Sequence, residues 1–153
     1  MRKLFLTFFY TGLLPKAPGT WGTIAGAAAA LPILYYFQPT TLFLATALLS
    51  LVAINEINKE EAQSGLHDAS EIVIDEVAGI WLALSMSGAT SLQIIFSVLY
   101  FRLFDIWKPS VIGRIDREVK GGLGVMGDDL LAGMFAAICS AGTYQVLGYF
   151  GMV

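Results

Sequence analysis

VAGIWLALSMSGATSLQIIFSVLYF, running from Val77 to Phe101, contains no charged residue, and the way it divides decides the architecture. A bilayer-spanning helix needs about 20 mostly apolar residues. Taken whole, the run is a single span, which would put Asp75 and Asp105 on opposite sides of a membrane. Its middle, however, reads Ser85-Met86-Ser87-Gly88-Ala89-Thr90-Ser91, and Gly and Ser clusters mark turns. Divided there, the run gives one helix near 70–87 and another near 91–108, the second ended by Pro109. Each is then roughly 18 residues, or ~27 Å, about the thickness of the hydrocarbon core.

Two further stretches are equally free of charge, Ala17–Asn55 and Leu130–Val153. Gln38-Pro39-Thr40-Thr41 splits the first into helices near 22–37 and 41–57, because proline lacks a backbone donor and disfavours helix in the residue before it. A fifth helix is expected to start at Asp128-Asp129 and run to the C-terminus, the acids favouring that end of the helix dipole. The whole chain is 56% hydrophobic and 14% charged, against about a quarter charged in soluble domains. Its 153 residues are too few to hide three such runs from water, so the expectation is one all-α domain, residues 1–153: a small polytopic membrane bundle of about five hydrophobic helices. Met1-Arg2-Lys3 before an apolar stretch resembles a signal peptide, but Pro15-Lys16-Ala17-Pro18-Gly19 offers no small-x-small cleavage pattern. The N-terminal segment is therefore expected to lie at the membrane surface.

Charge then sets orientation. This division puts every charged loop on one face. Eight of the nine basic residues fall in 1–16 and 102–120, and basic residues favour the cytoplasm. A net charge of −3 gives no general attraction to nucleic acid. The single cysteine, Cys139, excludes an intrachain disulfide and sits in apolar surroundings as a small hydrophobe.

Three segments hold the residues that could do chemistry. Pro18-Gly19-Thr20-Trp21-Gly22-Thr23 precedes a helix, whose free N–H groups suit an anion; Lys16, Thr20 and Thr23 could add donors, although the segment also reads as an ordinary loop with an interfacial Trp. Asp75-Glu76 stand where a helix enters apolar sequence, a costly place for charge and a functional suspect by default. Arg102, Asp105 and Lys108 recur every third residue and lie near one helical face. Asp75-Glu-Val-Ala-Gly79 and Asp129-Leu-Leu-Ala-Gly133 share the pattern D-x-x-A-G. In each, the glycine lies one turn below the acid and permits close helix approach. If the two faces meet, Asp75 and Asp129 converge, and carboxylates brought together need a proton or a metal. An all-oxygen set beside a phosphate suits Mg²⁺. His67, the only histidine, reads either as a solvated loop residue or as a proton donor.

PGTWGT (Pro18–Thr23), LHDASEIVIDEVAG (Leu66–Gly79), FRLFDIWKP (Phe101–Pro109) and IDREVKGGLGVMGDDLLAG (Ile115–Gly133) together resemble the phosphatidylglycerophosphatase A family, over nearly the whole chain. The resemblance implies Mg²⁺-dependent hydrolysis of phosphatidylglycerol phosphate at the bacterial inner membrane. It implies functional acids at Asp75, Glu76, Asp105, Asp116, Asp128 and Asp129, with basic partners at Arg102, Lys108 and Arg117. On this expectation Asp75, Glu76, Asp128 and Asp129 hold the metal, and Asp75, Glu76, Asp105 and Asp129 act in catalysis. Lys16, Thr20, Thr23, Arg102, Lys108 and Arg117 bind substrate. One departure is Ser110-Val111, where members commonly carry Trp-Pro. Other phosphatase chemistries fit poorly: no Arg stands six residues after Cys139, and the phosphoaspartate D-x-D-x-T/V signature is absent. The CDP-alcohol transferase pattern lacks its Arg. A non-enzymatic alternative is a small membrane subunit whose acidic helix ends assemble a complex.

Overall fold

The computed structural model describes residues 1–152, and among these it is all-α, with no strand. Seven helices follow in order: α1 (Arg2–Leu6), α2 (Pro18–Tyr36), α3 (Pro39–Ser64), α4 (Ile74–Ser87), α5 (Ser91–Trp107), α6 (Val111–Glu118) and α7 (Gly122–Tyr149), with a 3₁₀ turn at Thr11–Leu13. Pro18 and Pro39 open α2 and α3 at positions where the missing N–H costs nothing. α3 stops at Gly65, whose φ of +72° is the left-handed cap that glycine accepts without strain.

The Val77–Phe101 run is two helices. Gly88 turns the chain at φ +112°, and Thr90 caps α5 through a reciprocal capping box with Gln93. The single-span alternative is thereby excluded.

Four boundaries differ from expectation. α2 begins at Pro18 rather than near 22, so Pro18–Thr23 forms its first turns instead of preceding it. α3 continues to Ser64 rather than ending near 57, and α4 begins at Ile74 rather than near 70. The segment before α4 is instead pinned to the N-terminal segment, Val73 N–H donating to the Leu6 carbonyl at 3.0 Å. α7 begins at Gly122, not at Asp128-Asp129, and α6 occupies what reads as a loop. Gly121-Gly122-Leu-Gly124 looks like a breaker, but two of its glycines serve contact. A Cβ at Gly122 would stand 2.4 Å from the Ile54 carbonyl oxygen, and one at Gly124 2.0 Å from that of Val119. Asp128 and Asp129 consequently sit about two turns into α7 and cannot cap it.

Two helices, α3 and α7, are long and apolar enough to cross a membrane, with mean hydropathies of 1.7 and 1.5. Of the about five hydrophobic helices expected, only these two among the described residues meet that measure; α2 has 19 residues but is not apolar enough, and α4, with 14 residues, and α5, with 17, are short of the usual ~20. α4 is the central helix, packed against α2, α3, α5 and α7. Ile74, Val77, Ala78, Ile80, Ala83 and Leu84 are all 0% exposed. The outer helices present large apolar side chains outward, among them Leu48, Leu51 and Ile138.

The α4–α7 crossing positions the site. A Cβ on Gly133 would lie 2.2 Å from the Gly79 carbonyl oxygen, and one on Gly79 would lie 2.7 Å from the Asp129 carbonyl oxygen. The two D-x-x-A-G faces do meet, and only hydrogen at both glycines allows the approach.

Candidate active site

The charged end of the bundle encloses a cavity of about 300 Å³. Four helices and the irregular segment before α4 bring residues to it: Pro18 and Gly19 from the start of α2, Asp68 and Ser70 from that segment, Asp75 and Glu76 from the start of α4, Arg102, Asp105 and Lys108 from the end of α5, and Asp128 and Asp129 from α7. A larger cavity, about 700 Å³, is lined by Leu31, Pro32, Tyr35, Ile94 and neighbours, with no acidic or basic side chain. The chemistry therefore belongs to the smaller one.

Asp75, Glu76 and Asp129 form its floor, with one carboxylate oxygen from each lying within 4.8 Å of the others. Asp75 is only 7% exposed and Asp129 3%. Asp75 Oδ1 and Glu76 Oε2 are buried without a hydrogen-bond partner. Unpaired polar atoms in such a place are costly, and three crowded carboxylates repel. An all-oxygen donor set with unsatisfied lone pairs fits a hard divalent cation such as Mg²⁺, not a softer metal. Gly19 closes the same wall: a Cβ there would fall 2.1 Å from Glu76 Oε1 and 3.3 Å from Arg102 Nη1.

The basic side chains are held by acids. Arg102 pairs with Asp105 one turn on and reaches Thr23 Oγ1 at 3.5 Å, while its Nε is buried and unpartnered. Lys108 caps α5 in the left-handed region, φ 45°. That turns its ammonium between Asp116 Oδ1 at 2.5 Å and Asp128 Oδ2 at 2.6 Å. Burial works against the charge of Lys108, but its hydrogen bonds to the two carboxylates outweigh it and hold its pKa above the usual lysine value.

Most of the sequence-predicted residues come together here, but not all. Asp75, Glu76, Arg102, Asp105, Lys108, Asp128 and Asp129 line the cavity; Lys16, Thr20 and Arg117 do not. Thr23 lies behind the wall, buried, its hydroxyl donating to the Gly19 carbonyl at 2.8 Å. Asp128 is separated from the three-carboxylate group and engaged by Lys108. Asp116 acts from outside the cavity through Lys108. Sequence reasoning missed Asp68 and Ser70, both in the lining. They lie in an irregular segment, so no periodicity marks them. The one available signal is that Asp68 opens the same short polar-to-apolar stretch that leads into Asp75.

Residues 4–144 match the family described as Phosphatidylglycerophosphatase A. The chain is 37% identical to Phosphatidylglycerophosphatase A of Haemophilus influenzae over 131 residues, 85% of this chain and 80% of the relative. It is 34% identical to the Escherichia coli protein of the same name, covering 92% and 80% of the two chains. A Bacteroides thetaiotaomicron protein named Putative phosphatidylinositol-3-phosphatase is 34% identical, covering 93% and 92%. No solved structure matches. With the family match spanning nearly all of a bundle whose acidic floor and paired cations face one cavity, the chain belongs to the phosphatidylglycerophosphatase A family.

Proposed function

We propose that this protein hydrolyses phosphatidylglycerol phosphate to phosphatidylglycerol and inorganic phosphate, with Mg²⁺, at the cytoplasmic surface of a bacterial inner membrane. Family membership carries the reaction. One observation carries its placement in the molecule: the only group of three acids among the described residues that could hold a metal ion faces the cavity that also contains Arg102 and Lys108.

Asp75, Glu76 and Asp129 would hold the ion, and Asp128 stands one residue away under the ammonium of Lys108. A divalent cation bound there supplies Lewis acidity toward phosphate oxygens and water. Arg102 places a guanidinium in the same cavity, where it neutralises charge on the transferred phosphoryl group. Asp105 and Thr23 fix its plane. The first turn of α2 adds the positive end of a helix dipole at Gly19. Lys108, fixed by two carboxylates, contributes attraction for the phosphate without being free to fold onto it. Lys16 and Arg117, outside the cavity, act at most in drawing an anionic lipid toward it.

The exposed apolar belts of α2, α3, α5 and α7 suit lipid, with α4 buried at the centre of a multi-pass bundle. Phe9, Tyr10, Leu13 and Leu14 are exposed beside Arg2 and Lys3, a composition that favours the interface. Basic residues at this end favour the cytoplasmic side.

The test is phosphate release by purified protein from phosphatidylglycerol phosphate, phosphatidic acid and phosphatidylinositol 3-phosphate in mixed micelles, with Mg²⁺ and with chelator. Magnesium-dependent release, fastest from phosphatidylglycerol phosphate, is expected. A folded protein that releases none would favour the assembly-subunit alternative.

A further inference from the structure

Six carboxylates line the active cavity: Asp68, Asp75, Glu76, Asp105, Asp128 and Asp129. Five have an evident engagement. Asp75, Glu76 and Asp129 share the buried floor, Asp105 is paired with Arg102, and Asp128 with Lys108. Asp68 alone is exposed and has no ion-pair partner among the described residues. Resting on the phosphatase reading above, we infer that Asp68 is a further catalytic residue, the carboxylate that accepts the proton of the attacking water.

Its placement is built. Asp68 lies in the left-handed region at φ 50°, a conformation that costs a non-glycine residue of order 1 kcal/mol and persists only when the surroundings hold it. Glu61 supplies the hold: its Oε1 accepts from the Asp68 backbone N–H at 3.3 Å and lies 2.5 Å from His67 Nδ1. Asp68 also lines a second cavity of about 310 Å³, with His67, Asp116, Gly124 and Val125. Asp68 and Val125 line both cavities, so Asp68 stands where the two meet. A base must return its proton to solvent at every turnover. Asp68 is exposed and meets solvent directly, whereas Asp75 and Asp129 are only 7% and 3% exposed.

The step balances. The water oxygen bonds to phosphorus while the phosphorus–oxygen bond to the glycerol breaks, its electron pair leaving on the glycerol oxygen. One water proton goes to the Asp68 carboxylate and on to solvent; the glycerol oxygen takes a proton from solvent. The products are an alcohol and inorganic phosphate.

Two variants test this. Asp68→Asn keeps the backbone conformation, since Asn tolerates the left-handed region. Asp68→Gly tolerates it too and leaves room for a small carboxylate. Loss of a general base is expected to lower kcat by roughly 100-fold or more with KM little changed. Added formate should restore part of the rate of Asp68→Gly but none of Asp75→Gly. Binding of Mn²⁺ alone, read by electron paramagnetic resonance, should match wild type in both Asp68 variants. A kcat within threefold of wild type, weakened Mn²⁺ binding, or no response to formate would overturn the assignment. Wild-type protein that releases no phosphate would overturn the phosphatase reading and this one with it.

Discussion

Gly133→Ala adds one methyl group at the α4–α7 crossing, nowhere near a ligand atom. The new Cβ would stand 2.2 Å from the Gly79 carbonyl oxygen, 3.0 Å from its carbon and 3.2 Å from its Cα. Every one of those atoms is backbone, so no side chain can swing away. Ordinary contact starts near 3.4 Å, and the helices must part by about 1 Å to reach it. Gly133 lies one turn below Asp129, as Gly79 lies one turn below Asp75. The displacement therefore passes to carboxylates whose oxygens now lie within 4.8 Å. Overpacking costs typically 1–3 kcal/mol, and a 1 Å misplacement can cost ~100-fold in rate. We expect kcat for lipid phosphate hydrolysis to fall by about 10- to 100-fold, with a higher Mg²⁺ requirement. Gly142→Ala is the control on the same helix, since a Cβ there meets nothing within 4 Å. Phosphate release across a Mg²⁺ titration, with thermal unfolding of each purified variant, reads both terms. Wild-type kcat and Mg²⁺ dependence in Gly133→Ala would refute the claim that this crossing sets the carboxylate geometry.

Asp75→Asn and Asp129→Asn, nearly isosteric, should each abolish turnover while the protein stays folded; retention of more than about a tenth of kcat, a loss under ~1.4 kcal/mol, would show that neither holds the metal. Lys108→Met removes the shared partner of Asp116 and of Asp128, whose side chain is 5% exposed; unfolding should be easier by roughly 1–3 kcal/mol, and an unchanged midpoint would show the pair to be dispensable. Because the pKa of Lys108 is raised on folding, its contribution is fully present below the unfolded lysine value of about 10.4 and is lost only as pH rises through the higher folded value. The Lys108→Met difference should thus stay constant between pH 7 and 9, and a difference that vanished in that window would contradict the ion-pair account. In a Cys139→Ala background, single cysteines at Ser64 and Lys120 should resist an impermeant maleimide in whole cells while one at Ala89 reacts; outside labelling at Lys120 would reverse the orientation.

The helical class, the break at Gly88 and the convergence of Asp75 with Asp129 were legible in the sequence, because each is written in local chemistry. Uncharged runs report burial or lipid, turn residues report where backbone bonds must stop, and a small residue one turn from an acid reports a face that another helix can approach. Tertiary packing decided the rest. Neighbouring residues on a helix point about 100° apart, so Asp129 joins the buried floor while Asp128 meets Lys108, and nothing in the letters D-D separates them. Lys16, Thr20 and Arg117 carry suitable chemistry but stand outside the cavity, whereas Asp68 enters it from a segment with no period to read. The glycines at 121–124 look like a break and are mostly a contact, because a missing side chain serves a turn and a close approach equally well. Only the neighbouring backbone, that of Ile54 and Val119, shows which one a given glycine serves.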